Sequence, residues 1–169
     1  MNRESLKVVA KGERELEITR VFNASRDLVF DCFTKPELLK RWFYGPDGWS
    51  LSVCQIDLRV GGTYRYVWRS EHDGTEMGAG GVYREVQAPE RLVCTEAFDK
   101  AWYSGESLLT SIFDEQNNQT FYTLTILYES QEARDQVVQS PMEEGLSQGY
   151  DRLAKLLTHL VAEKMGGER

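Results

Sequence analysis

Between Trp49 and Tyr128 the chain alternates apolar and polar residues in short runs separated by turn signals, with no helical periodicity long enough to span a crossover. Parallel neighbours need a connection of a dozen or more residues, usually a helix, whereas antiparallel neighbours need only a hairpin. This stretch is therefore confined to an antiparallel sheet. Its pattern predicts strands over Ser50–Leu58, Thr63–Arg69, Ala79–Val86, Arg91–Phe98, Ser107–Phe113 and Thr120–Tyr128, with Gly61-Gly62, Asp73-Gly74, Pro89 and Asn117-Asn118 at the turns. Glu15–Asn23 alternates in the same way, Leu16, Ile18 and Phe22 against Glu15, Glu17 and Thr19, bringing the expectation to about seven strands. Gly78-Ala79-Gly80-Gly81 lacks a phosphate-loop lysine and the dinucleotide spacing, so it reads as a strand bulge or bend.

Helices flank this sheet. Ala24-Ser25 supplies a cap, and Leu28, Val29, Cys32 and Phe33 recur at helical spacing as far as Thr34. Lys35-Pro36 stops that helix, because the residue before proline is pushed out of the α region; Pro36 then opens a second short helix through Leu38, Leu39 and Trp42. After Ser130 comes a short element to Val138. Beyond Pro141 runs a long stripe of Met142, Leu146, Tyr150, Leu153, Leu156, Leu157 and Leu160. Gly145 and Gly149 interrupt this helix at about 1 kcal/mol each relative to alanine, which implies either a close backbone approach or room left open. The whole reads as an α+β chain: a tail over 1–14, one domain over 15–163 and a frayed end over 164–169.

The 169 residues suit a single domain. A net charge of −7 argues against a nucleic-acid partner. Met1–Arg20 holds no apolar leader core, and no apolar run approaches the ~18 residues of a membrane span. Cys32, Cys54 and Cys94 are odd in number, far apart and outside any C-x-x-C pair, so they read as buried thiols of a cytoplasmic protein. The glycosylation patterns at Asn23 and Asn118 would then stay idle.

Chemical motifs are sparse. Gly145-Leu146-Ser147-Gln148-Gly149 matches G-x-S-x-G, but a nucleophile elbow needs a strand-to-helix turn and this match falls inside a helix. His72 sits at a hairpin tip and His159 near the end of the last helix, where a cation suits the helix dipole. No metal or cofactor motif emerges. The richer signal is aromatic: Tyr64, Tyr66 and Trp68 share one parity of their strand and face Met142, Leu146 and Tyr150, while Trp42 and Phe43 are placed to lid the mouth. These eight are the candidate pocket, and a filled core fits the same pattern. Arg65 and Arg69 lie on the opposite parity; were that parity inverted, they would favour an anionic head group. Glu143 and Glu144 read as a solvated face at a helix start, and Glu13, Glu15 and Glu17 likewise as solvated.

Several stretches together resemble the family related to the activator of the ninety-kilodalton heat-shock chaperone's ATPase, within the START-like (SRPBCC) superfamily. They are Thr19–Ala24, Phe33–Glu37 leading to Trp42, Asp57–Gly62, Pro89–Leu92, Ser130 with Glu132–Arg134, and Met142–Gly145 before Asp151–Leu153. The resemblance implies a helix-grip fold, a curved antiparallel sheet around the C-terminal helix with a cavity between them. Members often carry tryptophan where this chain has Leu146, which changes the cavity's shape, so no ligand carries over. Three functions are implied: non-enzymatic binding of a small hydrophobic or amphipathic ligand, a stress-response interaction module that contacts the chaperone, or a cavity enzyme of cyclase or hydrolase type. The last would need a tyrosine or an inward Glu96 as its acid or base. Either a monomer or a homodimer fits.

Overall fold

A computed structural model describes residues 6–100, 103 and 105–167. Strand β2 (Glu15–Phe22) buries Leu16, Ile18, Arg20 and Phe22 and leaves the intervening residues half-exposed, the two-residue period of a sheet with one covered face. It lies between β1 (Lys7–Lys11) and β8 (Gln119–Leu127). Strands β3 (Trp49–Ile56), β4 (Thr63–Ser70), β5 (Glu76–Gln87), β6 (Arg91–Phe98) and β7 (Ser107–Gln116) form a meander that ends on β8. The result is one antiparallel sheet in the order β1-β2-β8-β7-β6-β5-β4-β3.

The sheet has eight strands where the pattern predicts about seven, and the added one lies in the stretch expected to be a tail. Residues 1–5 of that tail lie outside the described residues. The reason is physical. An edge strand needs only one partner and no buried face, and in β1 only Val8 is half-buried, so no alternation marks it.

Helices α1 (Arg26–Thr34) and α2 (Pro36–Leu39) carry the chain from β2 to β3 at the far edge of the sheet. Ser25 Oγ caps α1 by accepting the Leu28 N–H at 3.4 Å, and Lys35, extended before proline, ends it. Two asparagines with positive φ, Asn117 and Asn118, turn β7 into β8 in the two-residue hairpin whose twist matches the strands. Helix α3 (Gln131–Val138) is capped by Ser130 Oγ, which accepts the Ala133 N–H at 3.0 Å. Its buried Arg134 donates to the carbonyls of Lys11, Gly12 and Glu15 and so ties α3 to the β1–β2 turn. This gives the Ser130 to Arg134 motif a structural task.

Helix α4 (Met142–Gly167) runs into the segment expected to fray from 164; residues 168 and 169 lie outside the described residues. It buries Tyr150, Leu153, Leu156 and Leu157. Tyr150 meets the sheet edge-on, 6.0 Å from the ring of Phe22 and 5.9 Å from that of Tyr122. Arg20, buried on β2, is anchored to Asp151 of α4 at 2.7 Å. A curved antiparallel sheet gripping a long C-terminal helix is the expected α+β helix-grip arrangement. Among the described residues, no helix is long and apolar enough to cross a membrane.

The sheet bends beside β5. Its pairing with β6 shifts register between Tyr83 and Glu85, a bulge a few residues beyond the glycine run. Within that run, a Cβ on Gly80 would come within 2.6 Å of the Tyr64 carbonyl oxygen, and one on Gly81 would collide with the Thr95 carbonyl. Gly80 lies across from Ala97 and Tyr83 across from Cys94, and between these pairs Val82 N–H turns to Thr95 Oγ1 at 3.0 Å.

Candidate functional site: an aromatic cavity beneath the long helix

Alternation on β4 turns Tyr64, Tyr66 and Trp68 to the inner face of the sheet, and the 3.6-residue period of α4 turns Met142, Leu146 and Tyr150 toward them. These faces do not close on one another. They enclose a cavity of about 450 Å³, and all eight candidate pocket residues line it, Trp42 and Phe43 included. Trp42 is wall rather than lid. It is 1% exposed, its indole N–H donates to the Cys32 carbonyl at 2.9 Å, and its ring packs on Phe33 at 5.0 Å.

The rim is formed where the segment after α2 meets α4. Trp68 Nε1 donates to the Phe43 carbonyl at 3.0 Å, and Arg152 donates to the Gly45 carbonyl at 2.6 Å and to Asp47 at 2.8 Å. The Arg152 guanidinium also lies 4.1 Å from the ring centre of Tyr44. Gly45, Pro46, Trp49 and Arg152 all contribute to the cavity lining.

Arg65 does not enter this space. It forms a two-pronged bond to Asp99 on the outer side, and Arg69 is exposed. The parity of β4 is therefore not inverted, and the anionic head group that depended on inversion loses its basis. An acid faces inward instead. Strand β6 sends Leu92, Cys94, Glu96 and Phe98 to the cavity, so a carboxyl stands in an otherwise apolar row. Burial pushes the Glu96 carboxyl up from 4.5 to about 7. Among the described residues it makes no hydrogen bond or ion pair, and it retains surface open to the cavity. The sequence allows an inward Glu96, and the alternation of Leu92, Cys94 and Phe98 is the signal that places it there.

The other polar groups are neutral donors and acceptors. Tyr64 donates to the Thr95 carbonyl, and the Tyr122 hydroxyl lies 3.1 Å from Ser111 Oγ. Burial raises every cavity phenol above its ordinary value, Tyr122 to about 12, and raises the Cys94 thiol to about 12. None is a ready nucleophile at neutral pH. Ser147 lies within α4, without the strand-to-helix turn that its motif requires. His72 occupies the turn after β4, and His159 is exposed on α4. Among the described residues no group of three or more His, Cys, Asp or Glu could hold a metal ion.

Gly145 and Gly149 line the cavity, and a Cβ at either would meet no atom within 4 Å, so the glycines leave room rather than permit a close approach. Gly145→Ala and Gly149→Ala should each raise stability by about 1 kcal/mol through helix propensity, a melting gain of roughly 2–4 °C apiece. Differential scanning calorimetry checks this; a melting temperature that falls would mean that the helix uses these positions for a contact.

Comparison with known proteins supports the same architecture. The model of the family described as "Activator of Hsp90 ATPase homolog 1-like protein" matches residues 23–158. A crystal structure of a protein from Rhodobacter sphaeroides is 27% identical, covers 92% of this chain and 99% of its own, and superposes with a TM-score of 0.86. A protein from Nitrosomonas europaea is 26% identical, with 90% and 99% coverage and a TM-score of 0.78. One from Mycobacterium smegmatis is 24% identical, with 89% and 97% coverage and a TM-score of 0.75. No curated protein matches. With the family model covering most of the chain and the helix-grip sheet beneath it, the protein belongs to the activator of Hsp90 ATPase homolog 1-like family.

Proposed function

We propose that this protein binds a small hydrophobic or amphipathic molecule, without transforming it, in the cavity between the sheet and α4. One observation carries the reading: about 450 Å³ of space walled by aromatic and aliphatic side chains, with few polar groups among them. That volume falls in the range of small-molecule sites, and the balance of many apolar contacts to a few orienting ones is theirs too. Phenols and thiols held protonated by burial suit recognition better than covalent chemistry. Three unpaired cysteines are consistent with a cytoplasmic setting.

The test is native mass spectrometry of freshly purified protein, followed by a thermal-shift screen with fatty acids, sterols and two-ring aromatic compounds. A ligand held at a hundred times its dissociation constant contributes about 2.7 kcal/mol, which here amounts to a rise of roughly 5–10 °C that grows with concentration. A bare protein mass and a flat screen would count against the proposal.

A further inference from the structure

Among the described residues that line the cavity, Glu96 is the one acid and Arg152 the one base. Their situations differ. Arg152 is engaged at the rim by the Gly45 carbonyl, the Asp47 carboxylate and the Tyr44 ring. Glu96 stands on the sheet with no bonded partner among the described residues and with surface open to the lumen. An unpaired carboxyl set in an apolar wall is costly, and a fold without use for it would gain by replacing it with an apolar or amide group. Among the described residues no cation pairs with it. The titratable groups that face it are Tyr64 and Tyr66 from β4, Cys94 from its own strand, Tyr103, Tyr128 beyond β8, and Tyr150 from α4, all raised by burial and neutral near pH 7. The buried Arg20 near Tyr150 is paired with Asp151 through Nη1, while its Nε makes no hydrogen bond among the described residues.

Three head groups can be weighed against that environment. A carboxylate or phosphate ligand would bring a second negative charge to an acid that has no cation. A neutral hydroxyl would gain an ordinary hydrogen bond. An ammonium group would gain a charge-assisted hydrogen bond from its N–H to the carboxylate, together with attraction to the faces of the surrounding rings.

We infer that the cavity selects a hydrophobic amine, its ammonium paired with the Glu96 carboxylate and its apolar body packed against Trp68, Phe43 and Leu146. This rests on the ligand-binding reading above and narrows it to one class of ligand. Because burial holds the free carboxyl near 7, binding an ammonium fixes it in the ionised form and releases a proton wherever the apo site is protonated. Affinity for the amine therefore falls as pH drops through about 7 and is steady above it.

Isothermal titration with three probes that share a ring system separates the possibilities: 2-naphthylmethylamine, 2-naphthylmethanol and 2-naphthoate. For the wild-type protein at pH 8 the amine should bind most tightly and the naphthoate at least tenfold more weakly. At pH 6 the amine should lose about tenfold while the alcohol stays level. In Glu96→Gln the amine should lose tenfold or more at pH 8 and its dependence on pH, with the alcohol within threefold of wild type. Alcohol binding that persists alongside an amine indifferent to Glu96→Gln, or a naphthoate as tight as the amine, overturns the amine assignment and leaves the cavity reading standing. If none of the three binds the wild-type protein, the cavity reading fails and this inference fails with it.

Discussion

Replacing Glu96 by glutamine should stabilise the protein by about 3 kcal/mol at pH 8 and by almost nothing at pH 4. Burial raises the folded-state carboxyl from 4.5 to about 7, so the folded chain retains a proton that the unfolded chain releases between those values. Wherever the folded state binds more protons, stability falls as pH rises. The favourable condition is thus fully present below about 4.5 and is lost through about 7, and above that the wild type carries an ionised carboxylate in an apolar wall. Glutamine keeps the shape and removes the ionisation. For a chain of this length the difference corresponds to a melting temperature on the order of 6–12 °C higher at pH 8. Paired melts of wild type and variant across pH 4 to 8 check it. An equal gain at both ends would assign the effect to packing, and no gain at pH 8 would show that the ionised carboxylate is already well solvated. Carrying a destabilising acid at working pH is the familiar mark of a site kept for binding rather than for stability.

Gly81→Ala should act in the opposite direction and at least as strongly, costing about 3 kcal/mol or more. The new methyl would collide with the Thr95 carbonyl, a backbone atom held by the Tyr64 hydroxyl, so neither side can yield cheaply. The expected result is a melting temperature lower by roughly 6–12 °C, or a protein that does not accumulate in soluble form. The contrast with Gly149→Ala is instructive, since the same single methyl meets no atom within 4 Å there. A Gly81→Ala melt within a degree of wild type would show that β5 and β6 can part at this point without loss.

How much of this could be read from sequence depended on whether a residue's neighbours in the chain set its environment. Strands β2 to β8 and both helices after β2 follow from alternation, caps and the Lys35-Pro36 break, which are local. Tyr64, Tyr66 and Trp68 declare their inner face by parity alone. Strand β1 did not, because an edge strand with one half-buried side chain carries no alternation. Nor could parity decide whether the space between Tyr66 and Leu146 was filled: emptiness depends on how far α4 stands from the sheet, a distance set by Tyr150 against Phe22 and Tyr122. The pattern of residues leaves Trp42 free to lid the mouth, but its indole bond to the Cys32 carbonyl draws it into the wall. Glu96 shows the remaining limit. Its row was legible, but that no described residue serves as its counter-ion becomes visible only once β4, β6 and α4 are assembled around it.

The pairing of β2 with β8 also orders events in time. Phe22 lies across from Thr120 and Glu15 from Leu127, so β2 leaves the ribosome long before its second neighbour exists. Until β8 is made, the hairpin with β1 covers one side of β2 and the other stays open. Closing so long a loop is entropically dearer than zipping successive hairpins from β3 to β7. The seam that joins the two ends of the chain is therefore the last place where a nascent molecule remains vulnerable to pairing with another chain.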